Sequence, residues 1–342
     1  MSIFHIFGAP DIERMSAKHD VKGLIKALNY KKDREIRKNA IFALGRMPDK
    51  SVIKALLTLL DDLEEDVRMS AITTLGGISD SSATEFLILK LRDTSRNVRA
   101  CTCKALWRIG DERCIEPLIN TLQDPDINVR ENAAITLEKI TQIEKLDATT
   151  HAYYLIAKGM GGPGTLEPVV ALGKVSVDPL IYSLQYREYF IRAFAADGLG
   201  KIGDLRAVEP LLKLLKDSDS SVRGSACRSL GKLKDSKAIE PLITVLREDG
   251  DNVRSEAVEA LGQIGVQDLN PLIANLYDKD VKIRKWTCIA LGLIGNKAVL
   301  PELKRVVDQD KGLVLWFEGD KQFFERVSDH AQNAINKIIQ NS

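Results

Sequence analysis

The sequence predicts an all-α, right-handed solenoid of about ten helical hairpins, each 31 residues long. Three observations predict it. An arginine preceded by Val or Ile recurs at Arg37, Arg68, Arg99, Arg130, Arg192, Arg223, Arg254 and Arg284, in steps of 31 except for one of 62 and a last of 30. Prolines keep the same beat at Pro117, Pro179, Pro210, Pro241, Pro271 and Pro301. A leucine stands seven residues after each arginine, usually followed by glycine. A hairpin this short cannot bury its apolar face alone, so it stacks on copies of itself.

The stretch Asp204–Lys234 shows how one unit is built. Pro210 suits the first turn of the first helix, where its missing N–H costs nothing. Leu211, Leu212, Leu214 and Leu215 follow it. Lys216-Asp217-Ser218-Asp219-Ser220 has turn composition and supplies an N-cap for the second helix. In that helix Val222, Ala226, Leu230 and Leu233 are spaced four, four and three, which places them on one face.

The Val-Arg and Leu-Gly pairs, with the Ile-Gly-Asp and Ala-Val-Glu-Pro-Leu segments around them, resemble the HEAT-like repeats of the phycobilisome (bilin) lyase type. The resemblance covers nearly the whole chain. It implies the fold, and it implies protein binding as the commonest use of such repeats.

The chain is expected to divide into an N-terminal capping helix (1–19), repeats one to four (20–143), an irregular repeat five (144–174), repeats six to nine (175–296) and a C-terminal capping repeat (297–342). The cap starts at Pro10-Asp11-Ile12-Glu13, with Phe4, Ile6 and Phe7 tucked beneath it. Repeat five has Gly159-Met160-Gly161-Gly162-Pro163-Gly164 where Val-Arg is due. No lysine follows these glycines as a phosphate-binding loop requires, so they mark an interruption and a candidate hinge. The last repeat carries an insertion of about sixteen residues with Trp316, Phe317, Phe323 and Phe324, expected to cover the final core.

With 49 basic and 48 acidic residues, the formal charge is +1. That balance speaks against a nucleic-acid or anionic-membrane binder. No apolar run is long enough to span a bilayer and no signal-peptide pattern opens the chain, so a cytoplasmic location is expected. The five cysteines fit that compartment. Cys103, Cys227 and Cys288 stand four residues after their repeat's arginine, and Cys114 takes a slot held elsewhere by Ala207 and Ala238. All four read as small buried thiols. Cys101 and Cys103 point to different helix faces and make a poor metal pair.

No catalytic constellation stands out, so no enzyme, cofactor or metal site is expected. Deoxyhypusine hydroxylases are HEAT-like enzymes that hold two irons through paired His-Glu steps. Here the residues following the four histidines are Ile6, Asp20, Ala152 and Ala331, which breaks that pattern. The arginine column is structural on this reading. An acid stands six residues before most of its members (Asp62, Asp93, Asp124, Asp217, Glu248, Asp278), which predicts a ladder of charge-assisted hydrogen bonds between stacked turns. Tyr186 breaks it in repeat six.

Core positions lie at offsets −1, +3, +7 and +10 from each arginine, so +1, +2 and +5 point away from the core at 100° per residue. In HEAT-like stacks the second helices line a concave groove, which these columns should form. Four bases (Lys38, Lys104, Arg228, Lys285) and four acids (Glu131, Asp197, Glu256, Glu259) give it no positive excess. Its partner-binding residues are expected to be Phe42, Thr73, Lys104, Ile135, Tyr189, Phe190, Phe194, Asp197, Arg228, Glu256, Glu259, Trp286 and Ile289. Aromatic anchors among polar neighbours suit a protein surface. The expected function is therefore a non-enzymatic scaffold that holds a partner polypeptide in this groove. A bilin-lyase-like subunit is the alternative the resemblance offers, and a DNA-binding HEAT protein is a third.

Overall fold

The computed structural model of the protein describes residues 9–47, 50–159, 165–318 and 321–341, with the side chains of all of these except 316–318 and 321. Phe4, Ile6, Phe7 and most of the glycine-rich loop (160–164) lie outside the described residues. The chain forms two compact units, one ending at Lys158 and one starting at Gly159.

In the first unit, a helix Ile12–Ala17 starts at Asp11, whose side chain accepts from the Arg14 N–H at 3.0 Å. Ile12 and Met15 rest against the core of the first hairpin. Four hairpins follow, each a short first helix and a longer second one. They pair Val21–Ala27 with Arg34–Leu44, Lys50–Leu57 with Glu65–Ile78, Thr84–Lys90 with Arg96–Ile109, and Ile115–Thr121 with Ile127–Ile140. The helix Ala148–Gly159 packs beyond them.

The second unit opens with Leu166–Ala171. It pairs Val177–Ser183 with Tyr189–Ile202, Val208–Leu214 with Ser220–Leu233, Ile239–Glu248 with Asp251–Ile264, Asn270–Asn275 with Val281–Ile294, and Leu300–Gln309 with Val327–Gln340.

Local chemistry fixes the boundaries. Second helices begin where Asp33, Ser95, Asp126, Asp219 or Asp280 accepts a hydrogen bond from an N–H two residues on. Several end on a glycine in the left-handed region, such as Gly203 at φ +79°. The stripe read from the sequence is buried, with Val222, Ala226 and Leu230 fully so.

One element departs from the all-helical expectation. The insertion in the last repeat is an antiparallel hairpin, β1 (Leu313–Glu318) and β2 (Lys321–Arg326), with Val314 opposite Glu325 and Leu315 opposite Phe324. Val314 is buried. Leu313, Leu315 and Phe324 are exposed on the other face. The insertion thus buries one face only, because side chains alternate across a strand. The side chains of Trp316 and Phe317 are outside the described set.

Candidate functional site

The arginine column belongs to the scaffold. Arg37, Arg68, Arg99, Arg192, Arg223 and Arg284 each reach one repeat onward, to an acid that follows the next first helix. Arg99 grips Asp124 with two bonds, Nε at 2.7 Å and Nη2 at 2.8 Å, and Arg192 grips Asp217 in the same way at 2.7 Å for both. Arg37–Asp62 and Arg68–Asp93 make the corresponding rungs. The same guanidinium also donates backward to the carbonyl six residues earlier, as from Arg99 to Asp93 O at 2.9 Å. One residue thereby fixes its own turn and the next.

Two rungs differ from the sequence reading. Arg223 pairs with Asp249 rather than Glu248, because the first helix of that repeat runs on through Glu248 and leaves Asp249 at its cap. Arg254 does not reach Asp278. It donates to Leu246 O at 2.9 Å and to Asp251 at 3.1 Å, and the step to Arg284 is the one shortened to 30 residues. Arg284 completes the ladder on Asp310, at the end of the helix before the hairpin.

The glycines after the leucine column set how the second helices stand. A Cβ on Gly76 would lie 2.7 Å from Ala105 Cα, on Gly200 2.7 Å from Ser229 Cα, and on Gly231 2.8 Å from Ala260 Cα. Neighbouring second helices therefore touch backbone to backbone at offset +8 of one and +6 of the next. First helices of successive repeats meet far more sparsely. Within each unit the second helices thus form the tighter row, with one long face turned away from both neighbours and from the core.

That face is centred on offsets +5 and +9. In the first unit these positions are Phe42 and Arg46, Thr73 and Gly77, Lys104 and Arg108, Ile135 and Lys139, all exposed. Phe42 is 62% and Ile135 41% exposed. The +1 and +2 columns lie at its flanks, half-buried between helices in most repeats. This corrects the sequence reading, which gave all three columns equal standing and left out +9. Among the second-unit candidates, Tyr189 and Glu259 are exposed, while Phe190, Phe194, Asp197, Arg228, Glu256, Trp286 and Ile289 are half-buried.

The charges of the second unit's face largely neutralise one another. Arg228 donates to Glu256 at 2.6 Å, to Asp197 at 3.4 Å and to Ser225 Oγ at 2.9 Å. Trp286 Nε1 donates to Asp251 at 3.1 Å. Lys285 is occupied by Glu325 of β2, whose carboxyl is held below its usual range by that ammonium and lies 3.3 Å from His330 Nε2. The end of this face is therefore partly covered by the chain's own hairpin. On the first unit's face Thr73 Oγ1 lies 3.2 Å from Cys101 Sγ, which is half-buried. A cavity of about 360 Å³ opens beside Phe42, lined by Lys38, Met69, Ser70 and Thr73.

The other four cysteines are buried, and burial pushes the Cys227 and Cys288 thiols up to about 12 and Cys114 to about 11. Among the described residues no group of three or more His, Cys, Asp or Glu side chains could hold a metal ion. No helix among them is long and apolar enough to cross a membrane.

Solved structures similar to the chain share little sequence with it. Human deoxyhypusine hydroxylase in complex with glycerol is 24% identical over 83% of this chain and 98% of that one, with a TM-score of 0.34. The CpcE–CpcF complex of phycocyanin lyase from Nostoc sp. PCC7120 gives 18%, 80%, 94% and 0.30 on the same measures. Kap95p in its complex with RanGDP gives 12%, 96%, 52% and 0.36. No curated protein matches the chain. The family model for HEAT repeats matches residues 21–89, 84–153, 177–261 and 239–315, so most of the length is accounted for, and the chain belongs to the HEAT repeat family.

Proposed function

We propose that this protein is a non-catalytic scaffold that holds a partner polypeptide along the exposed faces of its second helices. One observation carries the reading: an unbroken row of exposed offset +5 side chains on the stacked helices of the first unit, with apolar Phe42 and Ile135 on either side of polar Thr73 and Lys104. Such a mixture of anchors and polar rim is how proteins bind proteins. The contact residues are Phe42, Thr73, Lys104 and Ile135 in the first unit. In the second they are Tyr189, Phe190, Phe194, Asp197, Arg228, Glu256, Glu259, Trp286 and Ile289. The Asp197–Arg228–Glu256 network presents fixed charges to the partner rather than free ones, and favours specificity over raw affinity.

The test is affinity capture from the native host followed by mass spectrometry. Ile135→Ala and Phe194→Ala serve as separate variants, each with its melting curve recorded. Loss of an anchor at a central contact costs about 2 kcal/mol or more. Captured polypeptides that survive both substitutions in folded protein would sink the assignment of this face.

A further inference from the structure

The first unit's face carries cations that no acid among the described residues answers. Arg46, Lys104, Arg108 and Lys139 occupy its +5 and +9 positions, and no acid stands at either offset in these four repeats. Among the described residues none of the four forms an ion pair with a carboxylate. Their neighbours do: Lys38 pairs with Glu35, Lys90 with Asp61 and Lys158 with Glu138. Of the second unit's three matching cations two are answered, Lys201 by Glu167 and Arg228 by Asp197 and Glu256, and Lys232 alone has no ion pair among the described residues. Lys104 and Arg108 are also four apart on one helix, where like charges repel and weaken it. Glu131, at the flanking +1 position, is the single acid among the +1, +2 and +5 columns of these repeats.

We infer that this face docks an acidic segment of the partner protein, whose carboxylates complete the ion pairs that Arg46, Lys104, Arg108 and Lys139 lack. The inference rests on the partner-binding reading above and names the chemistry of the partner. A carboxylate meets a guanidinium through two parallel hydrogen bonds, and apolar side chains of the same segment would pack on Ile135 and on the rim of Phe42. A nucleic acid fits less well, because single strands need open aromatic faces for their bases. Here a cation of the chain already takes one face of each ring. The Arg46 guanidinium sits 4.2 Å from the centre of the Phe42 ring, and Lys139 Nζ 4.1 Å from that of Trp107 while donating to Trp107 O.

The experiment is fluorescence anisotropy on the full chain, with a fluorescein-labelled copolymer of glutamate and tyrosine as probe. The wild type should bind it, and raised salt should weaken binding because the cations are exposed. The double variant Lys104→Glu/Arg108→Glu, confirmed as folded by its melting curve, should bind about tenfold more weakly or less. Lys213→Glu, on an exposed position of a first helix, should bind as the wild type does. Equal binding by the double variant overturns the inference, as does no binding by the wild type. Tighter binding of a labelled thymidine oligonucleotide of equal charge also overturns it. If charge proves irrelevant while Ile135→Ala still abolishes partner capture, this inference falls alone; if capture survives both anchor substitutions as well, the docking face itself is wrong.

Discussion

Asp249 accepts two hydrogen bonds from Arg223, Nε at 2.5 Å and Nη2 at 2.8 Å, from a position that is almost closed to solvent. The Arg223 hydrogen bonds hold its carboxyl below the ordinary carboxylate range against the opposing effect of burial. At Asp217 burial is the largest influence and pushes upward, yet Arg192 and the Asp219 N–H outweigh it. Both groups therefore bind protons more readily unfolded than folded. Their contribution to stability is complete above the unfolded pKa of about 3.9 and is lost as pH falls through the lower folded values. Denaturant melts should show flat stability from pH 7 to 5 and a decline below pH 4. Replacing Asp124 with Ala leaves Arg99 charged and mostly buried, and should destabilise the protein by about 3 kcal/mol. A loss of less than 1 kcal/mol would mean that water replaces the carboxylate at no cost.

At the scale of the helix, two physical effects disagree about Gly231. It lies within the helix Ser220–Leu233, where exchange for alanine gains about 1 kcal/mol of intrinsic helix preference. Its added Cβ, however, would lie 2.8 Å from Ala260 Cα and 2.8 Å from Gln263 Oε1. Pushing two backbones apart costs about 1–3 kcal/mol, so Gly231→Ala should lower stability in a denaturant melt, and a gain would show that the helices slide freely. The glycines were plain in the sequence, but their meaning needed two helices at once. The same gap explains the misjudged face. Opposing the core picks out +1, +2 and +5, whereas the free face must also avoid both neighbouring helices, which moves its centre to +5 and +9. The period and the caps depend on residues close in sequence and were legible. The hairpin signature was present too, as apolar runs on either side of Gly319-Asp320. Within the 31-residue frame the same residues form an insertion before the last second helix, which hides their pairing.

Over the whole molecule, most joints within a unit combine two contacts: a second helix touching the next at glycine, and an arginine reaching the next acid. Each repeat is held by its neighbours alone, so its stability is close to a sum of local terms. A lesion should then fade within a repeat or two of where it is made. Amide hydrogen exchange on Gly231→Ala tests this. Protection should fall in Tyr189–Ile202, Ser220–Leu233 and Asp251–Ile264, the helices in direct register with the altered contact. It should stay at the wild-type level in Arg34–Leu44 and Glu65–Ile78, which lie in the other unit. Uniform loss throughout the chain would instead require one cooperative core, and binding along the second helices would then report on global stability rather than on the side chains it touches.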